Sequence, residues 1–202
     1  MRVKKLNVAT RRGSVLNGAL FDTPGADTVL VNITGIHGNF YSNPFYYDFG
    51  AALNSGGFDF VYAQTNDAFG QIPTVNARTG ERELIGSWNE RFSYTDEDIE
   101  AYLDWAQDAG YKHVFLSGYS LGANKVMYYL SRHHEGPVEK FVLLSPANLS
   151  FMMSGVSKRE KKTVKFYVEQ GRGNEMLPFP FMTGFSRAIS TTRTPTPPAI
   201  FR

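Results

Sequence analysis

The chain has 202 residues, enough for one domain with a substantial core. A hydrophobic share of 42% and a charged share of 20% argue against wholesale disorder, and a formal charge of +2 is too small to imply a nucleic-acid partner. The absence of cysteine removes disulfides, thiolate metal sites and cysteine nucleophiles.

At the start, Met1-Arg2-Val3-Lys4-Lys5 carries the charge of a signal n-region, yet Asn7, Thr10, Arg11 and Arg12 interrupt any apolar h-region. No apolar run reaches bilayer length, so the expectation is a soluble cytoplasmic protein with no membrane span. Val3 to Thr10 and Ser14 to Phe21 flank Arg12-Gly13 as the arms of a hairpin. The denser run Thr28 to Ile33 predicts a strand buried on both faces. A loop over Gly35 to Phe40 follows, then a helix from Pro44 to Leu53 closed by Gly56-Gly57, then a strand from Phe58 to Ala63.

Residues 64–94 read as a long polar loop, a length that marks functional or mobile segments. Thr95 with Asp98 suggests a capping box, and Ile99, Tyr102, Leu103 and Ala106 recur at helical spacing up to Gly110. Val114 to Ser117 predicts a strand, Leu121 to Leu130 a helix, and Phe141 to Leu144 another strand. Strands alternating with helices imply an α/β fold whose mostly parallel sheet carries helices on both faces. Ser157 and Glu160 form a second capping box, predicting a helix of roughly a dozen residues that stops at Gly171; a strand over Val164 to Val168 is the alternative. Lys158, Arg159, Lys161 and Lys162 then form a solvated helix face, with an anion site the alternative.

The pattern that carries chemistry is Gly118-Tyr119-Ser120-Leu121-Gly122, directly after Val114-Phe115-Leu116. Glycines two residues either side of a serine, between strand and helix, describe a nucleophile elbow. Such a turn strains the serine backbone and leaves no room for side chains beside it. It also sets the Leu121 N–H at a helix N-terminus, where donors are free.

With the upstream loop Gly35-Ile36-His37-Gly38-Asn39-Phe40 and the later strand Phe141-Val142-Leu143-Leu144-Ser145-Pro146, the chain resembles an α/β-hydrolase, most like the esterase and lipase-type members, over roughly residues 14 to 182. The resemblance implies a serine hydrolase acting on a small-molecule ester or acyl substrate, with Ser120 as nucleophile and no cofactor or metal. The N–H groups of Leu121 and of Asn39 (or Gly38 or Phe40) would form the oxyanion hole, and His37, Phe40 and Tyr119 would border the substrate pocket. It further implies a core over residues 1–148, a cap-like helical segment over 149–185 that includes Phe151, Met152, Met153, Pro178, Phe179, Phe181 and Met182, and a Pro/Thr-rich tail over 186–202.

The family's acid and histidine follow the serine in chain order, on loops after two later strands. Here no aspartate follows Ser120, and the only later histidines are His133 and His134. At about 1.5 Å per helical residue, His133 lies roughly 20 Å from Ser120. At about 3.3 Å per strand residue, His113 lies some 23 Å below it. His37 is read as holding its loop by hydrogen bonds, with contact to substrate or service as base the alternative. Asp67, Glu169 and Glu175 are the weak candidates for the acid.

The expectation is a chain that ends before the final strands, leaving a sheet edge through which copies could associate. The competing functional reading is a catalytically inactive, hydrolase-like protein that binds a small molecule.

Overall fold

The computed structural model of the chain describes residues 1–173, Glu175 and Leu177. The opening hairpin forms as expected, β1 (Arg2–Ala9) lying antiparallel to β2 (Val15–Asp22) with Arg2 opposite Asp22 and Ala9 opposite Val15. Gly13 turns it at φ 93°, the left-handed region that favours glycine.

β3 (Thr28–Ile33) is buried at every position, and β4 (Asp59–Ala63) likewise. They run parallel, Val29 opposite Asp59, while β2 pairs antiparallel with the other side of β4. Beyond β3 come β7 (His113–Tyr119) and β8 (Val138–Leu144), both parallel to it. The sheet order is therefore β1-β2-β4-β3-β7-β8, with an antiparallel edge as predicted.

The period of two along the strands sorts side chains onto two covered faces. Val29, Val31 and Ile33 of β3 pack with Ile99, Tyr102 and Leu103 of α2 (Thr95–Asp108) and Val126 of α3 (Leu121–Leu130). Leu30 instead joins Phe21, Phe60, Tyr62 and Tyr46, the last from α1 (Phe45–Ser55) on the opposite face. Helices on both faces explain why β3 shows no polar alternation.

β8 pairs only with β7 among the described residues, and its Phe141 and Val142 are about half exposed, at 53% and 47%. After it, α4 (Leu149–Ser154) and α5 (Lys158–Glu169) are helical. The capping box at α5 is complete: Ser157 accepts from the Glu160 amide, and the Glu160 carboxylate accepts from the Ser157 amide. The strand alternative over Val164 to Val168 is thereby ruled out. Its Lys158, Arg159, Lys161 and Lys162 are exposed or half-exposed, as a solvated face requires. The expected tail over 186–202, and Pro178 to Met182 of the expected cap, lie outside the described residues. No described helix is long and apolar enough to cross a membrane.

Two local expectations need correction. Residues 64–94 contain a hairpin, β5 (Ile72–Val75) with β6 (Arg82–Ile85), and a short 3-10 turn over Phe92–Tyr94. The segment also closes on itself through Gly86 N–H to Asn66 O (2.7 Å) and Ser87 N–H to Phe69 O (3.1 Å). The capping box at Thr95 does not form. Thr95 is the first residue of α2, its hydroxyl buried without a partner, and Asp98 turns its carboxylate to Arg12 and to the Asn66 N–H (2.8 Å). A charged partner distant in sequence outcompetes a local backbone donor.

Candidate active site at the serine elbow

Ser120 sits between β7 and α3 at φ 55°, ψ −122°, a conformation that L side chains rarely adopt. Contacts on every side hold it there. Its N–H donates to Leu144 O at the end of β8 (3.0 Å), and its carbonyl accepts from Ala123 N–H (3.1 Å). A Cβ on Gly118 would lie 2.3 Å from Gly122 O, and one on Gly122 would lie 2.2 Å from Ile33 O. Both glycines of the motif are thus required by close backbone approach, which presses the start of α3 onto the end of β3.

The upstream loop lies directly alongside. A Cβ on Gly35 would meet the Ser120 Cβ at 3.0 Å and its Oγ at 3.5 Å. Of the three amides considered as the second oxyanion donor, two are occupied: Gly38 N–H donates to Gly35 O (2.8 Å) and Phe40 N–H to Gln64 Oε1 (2.8 Å). The Asn39 N–H has no partner among the described residues. Its side chain braces the loop by donating to His37 O (3.0 Å) and Ser42 Oγ (2.7 Å) and accepting from Tyr41 N–H and Ser42 N–H. Leu121, the first residue of α3, has an N–H without an intrahelical acceptor.

His37, at φ 57°, bridges to Ala68, its N–H donating to Asp67 O (3.2 Å). Its Nδ1 lies 3.1 Å from Phe69 O and 2.8 Å from Ser87 Oγ. A carbonyl can only accept, so Nδ1 carries the proton and the ring pins the loop to residues 69–87. Phe40 packs among Tyr47, Tyr62 and Phe21 on the α1 side, with centroids 4.9, 5.8 and 6.2 Å away. Tyr119 meets Phe45 edge-on at 5.4 Å.

The other histidines are elsewhere. His113 begins β7, at the opposite end of the strand from Ser120, and pairs with Glu139 (2.7 Å). His133 stacks on Tyr129 (4.3 Å, 14° between planes) near Asp96 and Glu100, and His134 is exposed. Glu175 is held by Arg172 at 2.6 Å. No imidazole among the described residues is hydrogen-bonded to the Ser120 hydroxyl.

Sequence reading missed the strongest electrostatic feature. Lys125, on α3 one turn beyond the elbow, is 1% exposed. Its ammonium lies 2.5 Å from Glu90 Oε1, 3.0 Å from Asp67 Oδ2 and 3.2 Å from Thr65 Oγ1. Asp67 also accepts from the Thr65 hydroxyl (2.5 Å), so the acid candidate is committed to this cluster. The available signal was the spacing of Gly122, Val126 and Tyr129, which places position 125 at the buried face of α3. Burial alone would depress the lysine, but Asp67, Glu90 and Asp98 outweigh it and hold the ammonium above its ordinary value.

Burial raises Asp98 above the usual carboxylate range, against the pull of Arg12 and Lys125. Burial pushes Glu90 up to about 7, against the pull of Lys125. A carboxyl that binds its proton more tightly when folded loses stability as pH rises from about 4.5 to about 7. Wild-type stability minus that of Glu90→Gln should fall across this window by about 1–3 kcal/mol and level off above it. Urea melts at several pH values measure this, and a difference independent of pH would contradict the assignment.

A sequence model of the α/β-hydrolase fold matches residues 28–180. The chain belongs to the α/β-hydrolase fold family. Solved structures share the fold of this α/β-hydrolase. An α/β-hydrolase from Penicillium sp. sh18, GrgF, is 12% identical with a TM-score of 0.63, covering 95% of this chain and 63% of its own. An esterase of Pyrococcus furiosus is 16% identical (TM-score 0.59; 87% and 64%), and Est1E from Butyrivibrio proteoclasticus is 16% identical (TM-score 0.56; 75% and 55%). The chain thus spans between 55% and 64% of the length of these structures. No curated protein matches it.

Proposed function

We propose that this α/β-hydrolase is a serine hydrolase that cleaves carboxylic esters through an acyl-serine at Ser120. The observation carrying the reading is the constrained Ser120 backbone (φ 55°) at the start of α3, packed against Gly35 of the loop whose Asn39 N–H has no partner among the described residues. A serine needs a base to take its proton and donors to hold the oxyanion that forms on the carbonyl carbon's oxygen. Attack by Oγ expels the alcohol, which takes up the proton, and water then releases the acid. Preorganised donors of this kind are worth about 2.7–4 kcal/mol each in acyl transfer.

A second reading rests on a specific observation. Of the four histidines, only His37 lies at the Ser120 end of the sheet, and its Nδ1 is engaged by Phe69 and Ser87. That favours a family member that binds an acyl ligand without turning it over. Rapid mixing with p-nitrophenyl butyrate separates the two. Esterase chemistry predicts a burst of about one p-nitrophenolate per chain followed by steady turnover, as acyl-enzyme accumulates. Absence of both burst and turnover would support the binding protein.

A further inference from the structure

We propose that the outward face of α5 docks on an anionic lipid bilayer, holding the protein at the membrane surface without crossing it. Between positions 158 and 165 the helix carries Lys158, Arg159, Lys161, Lys162 and Lys165. All of these are exposed, as is Phe166, while Val164, Tyr167 and Val168 are partly buried on the other side. That inner side is anchored, since Val164 packs with Met153 of α4 against Val156 and Leu177. The cations therefore stand on a helix whose orientation is fixed.

The electrostatics of the helix itself do not account for this placement. Lys158 and Arg159 occupy the first turn, where the macrodipole favours acidic residues. Lys158 with Lys162, and Lys161 with Lys165, stand four apart, and Arg159 with Lys162 three apart, spacings at which like charges destabilise a helix. Little acid offsets them. Glu160 is occupied by the Ser157 cap, and Glu169 reaches Lys165 at 3.7 Å. Lys158, Arg159, Lys161 and Lys162 have no carboxylate partner among the described residues. The whole chain carries only +2, so this concentration of charge is local. A local rule broken without gain inside the fold points to a gain outside it.

The rings beside the cations select the partner. Phe166 is 52% exposed one turn beyond Lys162 on the same face, and Phe151 of α4 is 75% exposed. An acidic protein surface or a free phosphate would take the charges and leave these rings in water. A bilayer with anionic headgroups meets both demands: phosphate and carboxylate groups take the ammonium and guanidinium groups, and the rings enter the boundary between headgroups and acyl chains. A single nucleic-acid strand would also offer charge and stacking, but it is held in a basic groove, and a helix face is convex. This inference does not depend on chemistry at Ser120.

The test is co-sedimentation of the full chain with vesicles of phosphatidylcholine alone or with about 30% phosphatidylserine added. The chain should pellet with the serine-containing vesicles and stay in solution with phosphatidylcholine alone. Raising the salt from about 0.1 M to about 1 M should release it. Lys158→Gln, Lys161→Gln and Lys162→Gln combined should weaken partitioning by about 100-fold, roughly five-fold per charge removed. Phe166→Ala should weaken it by about five-fold with the charge unchanged. These side chains are exposed, so both variants should melt at the wild-type temperature. Equal pelleting with the two kinds of vesicle, pelleting with neither, or partitioning that either variant leaves unchanged would overturn the proposal. So would tighter binding of oligothymidylate than of the anionic vesicles, which would assign the face to a nucleic acid.

Discussion

Lys125→Ala should destabilise the protein by about 3–5 kcal/mol, because it strands two buried carboxylates beside each other. Asp67 and Glu90 reach the ammonium at 3.0 and 2.5 Å, and Lys125 is almost wholly enclosed. For a chain of this size the loss corresponds to a fall in Tm of roughly 10 °C. The triple variant Lys125→Met, Asp67→Asn, Glu90→Gln should recover most of it, since a buried ion cluster replaced by neutral groups is often close to neutral overall. Thermal melts of the two variants test this. A Lys125→Ala protein within about 0.5 kcal/mol of wild type would show that the cluster is solvated.

The consequence extends to the site. Asp67 accepts the His37 N–H through its carbonyl and the Lys125 ammonium through its carboxylate. The helix leaving Ser120 and the loop bearing Asn39 are therefore joined through one buried residue, and loosening it should lower ester turnover as well as Tm.

Gly122→Ala should cost more in activity than in stability. The added methyl would stand 2.2 Å from Ile33 O and 2.4 Å from Thr34 O, both backbone atoms at the end of β3. Neither can rotate away, so the first turn of α3 must move outward and carry the Leu121 N–H with it. Misplacement by about 1 Å near reacting atoms costs on the order of 10²-fold in rate. Overpacking of this kind costs about 1–3 kcal/mol. Steady-state hydrolysis of p-nitrophenyl butyrate, measured beside the Tm, checks both. Wild-type turnover in this variant would mean that the elbow does not shape the chemistry.

The fold was largely legible because hydrophobic period and chain punctuation agree. The continuous run Thr28 to Ile33 and the paired signals Ser157 with Glu160 each point to one structure, and each forms it. Thr95 with Asp98 carries the same local signature as Ser157 with Glu160 and fails, because Arg12 lies across the hairpin turn from Asp98. Residues 64–94 read as a loop because β5 and β6 are only four residues each, too short for a periodic signal.

At the site, Gly118-Tyr119-Ser120-Leu121-Gly122 was readable because backbone crowding demands glycine at fixed positions. That the Gly38 and Phe40 amides are already bonded was not, since it depends on how the folded loop is arranged. Lys125 was hidden for a similar reason: its partners lie 35 and 58 residues away, and only the fold brings them to one helix face.

The central claim is that Ser120 is an activated nucleophile, and reaction with a fluorophosphonate tests it most directly. Intact-mass analysis of the wild type should show one adduct per chain, located on the tryptic peptide 113–125, and Ser120→Ala should show none. No adduct on the wild type, or equal labelling of both proteins, would contradict the account.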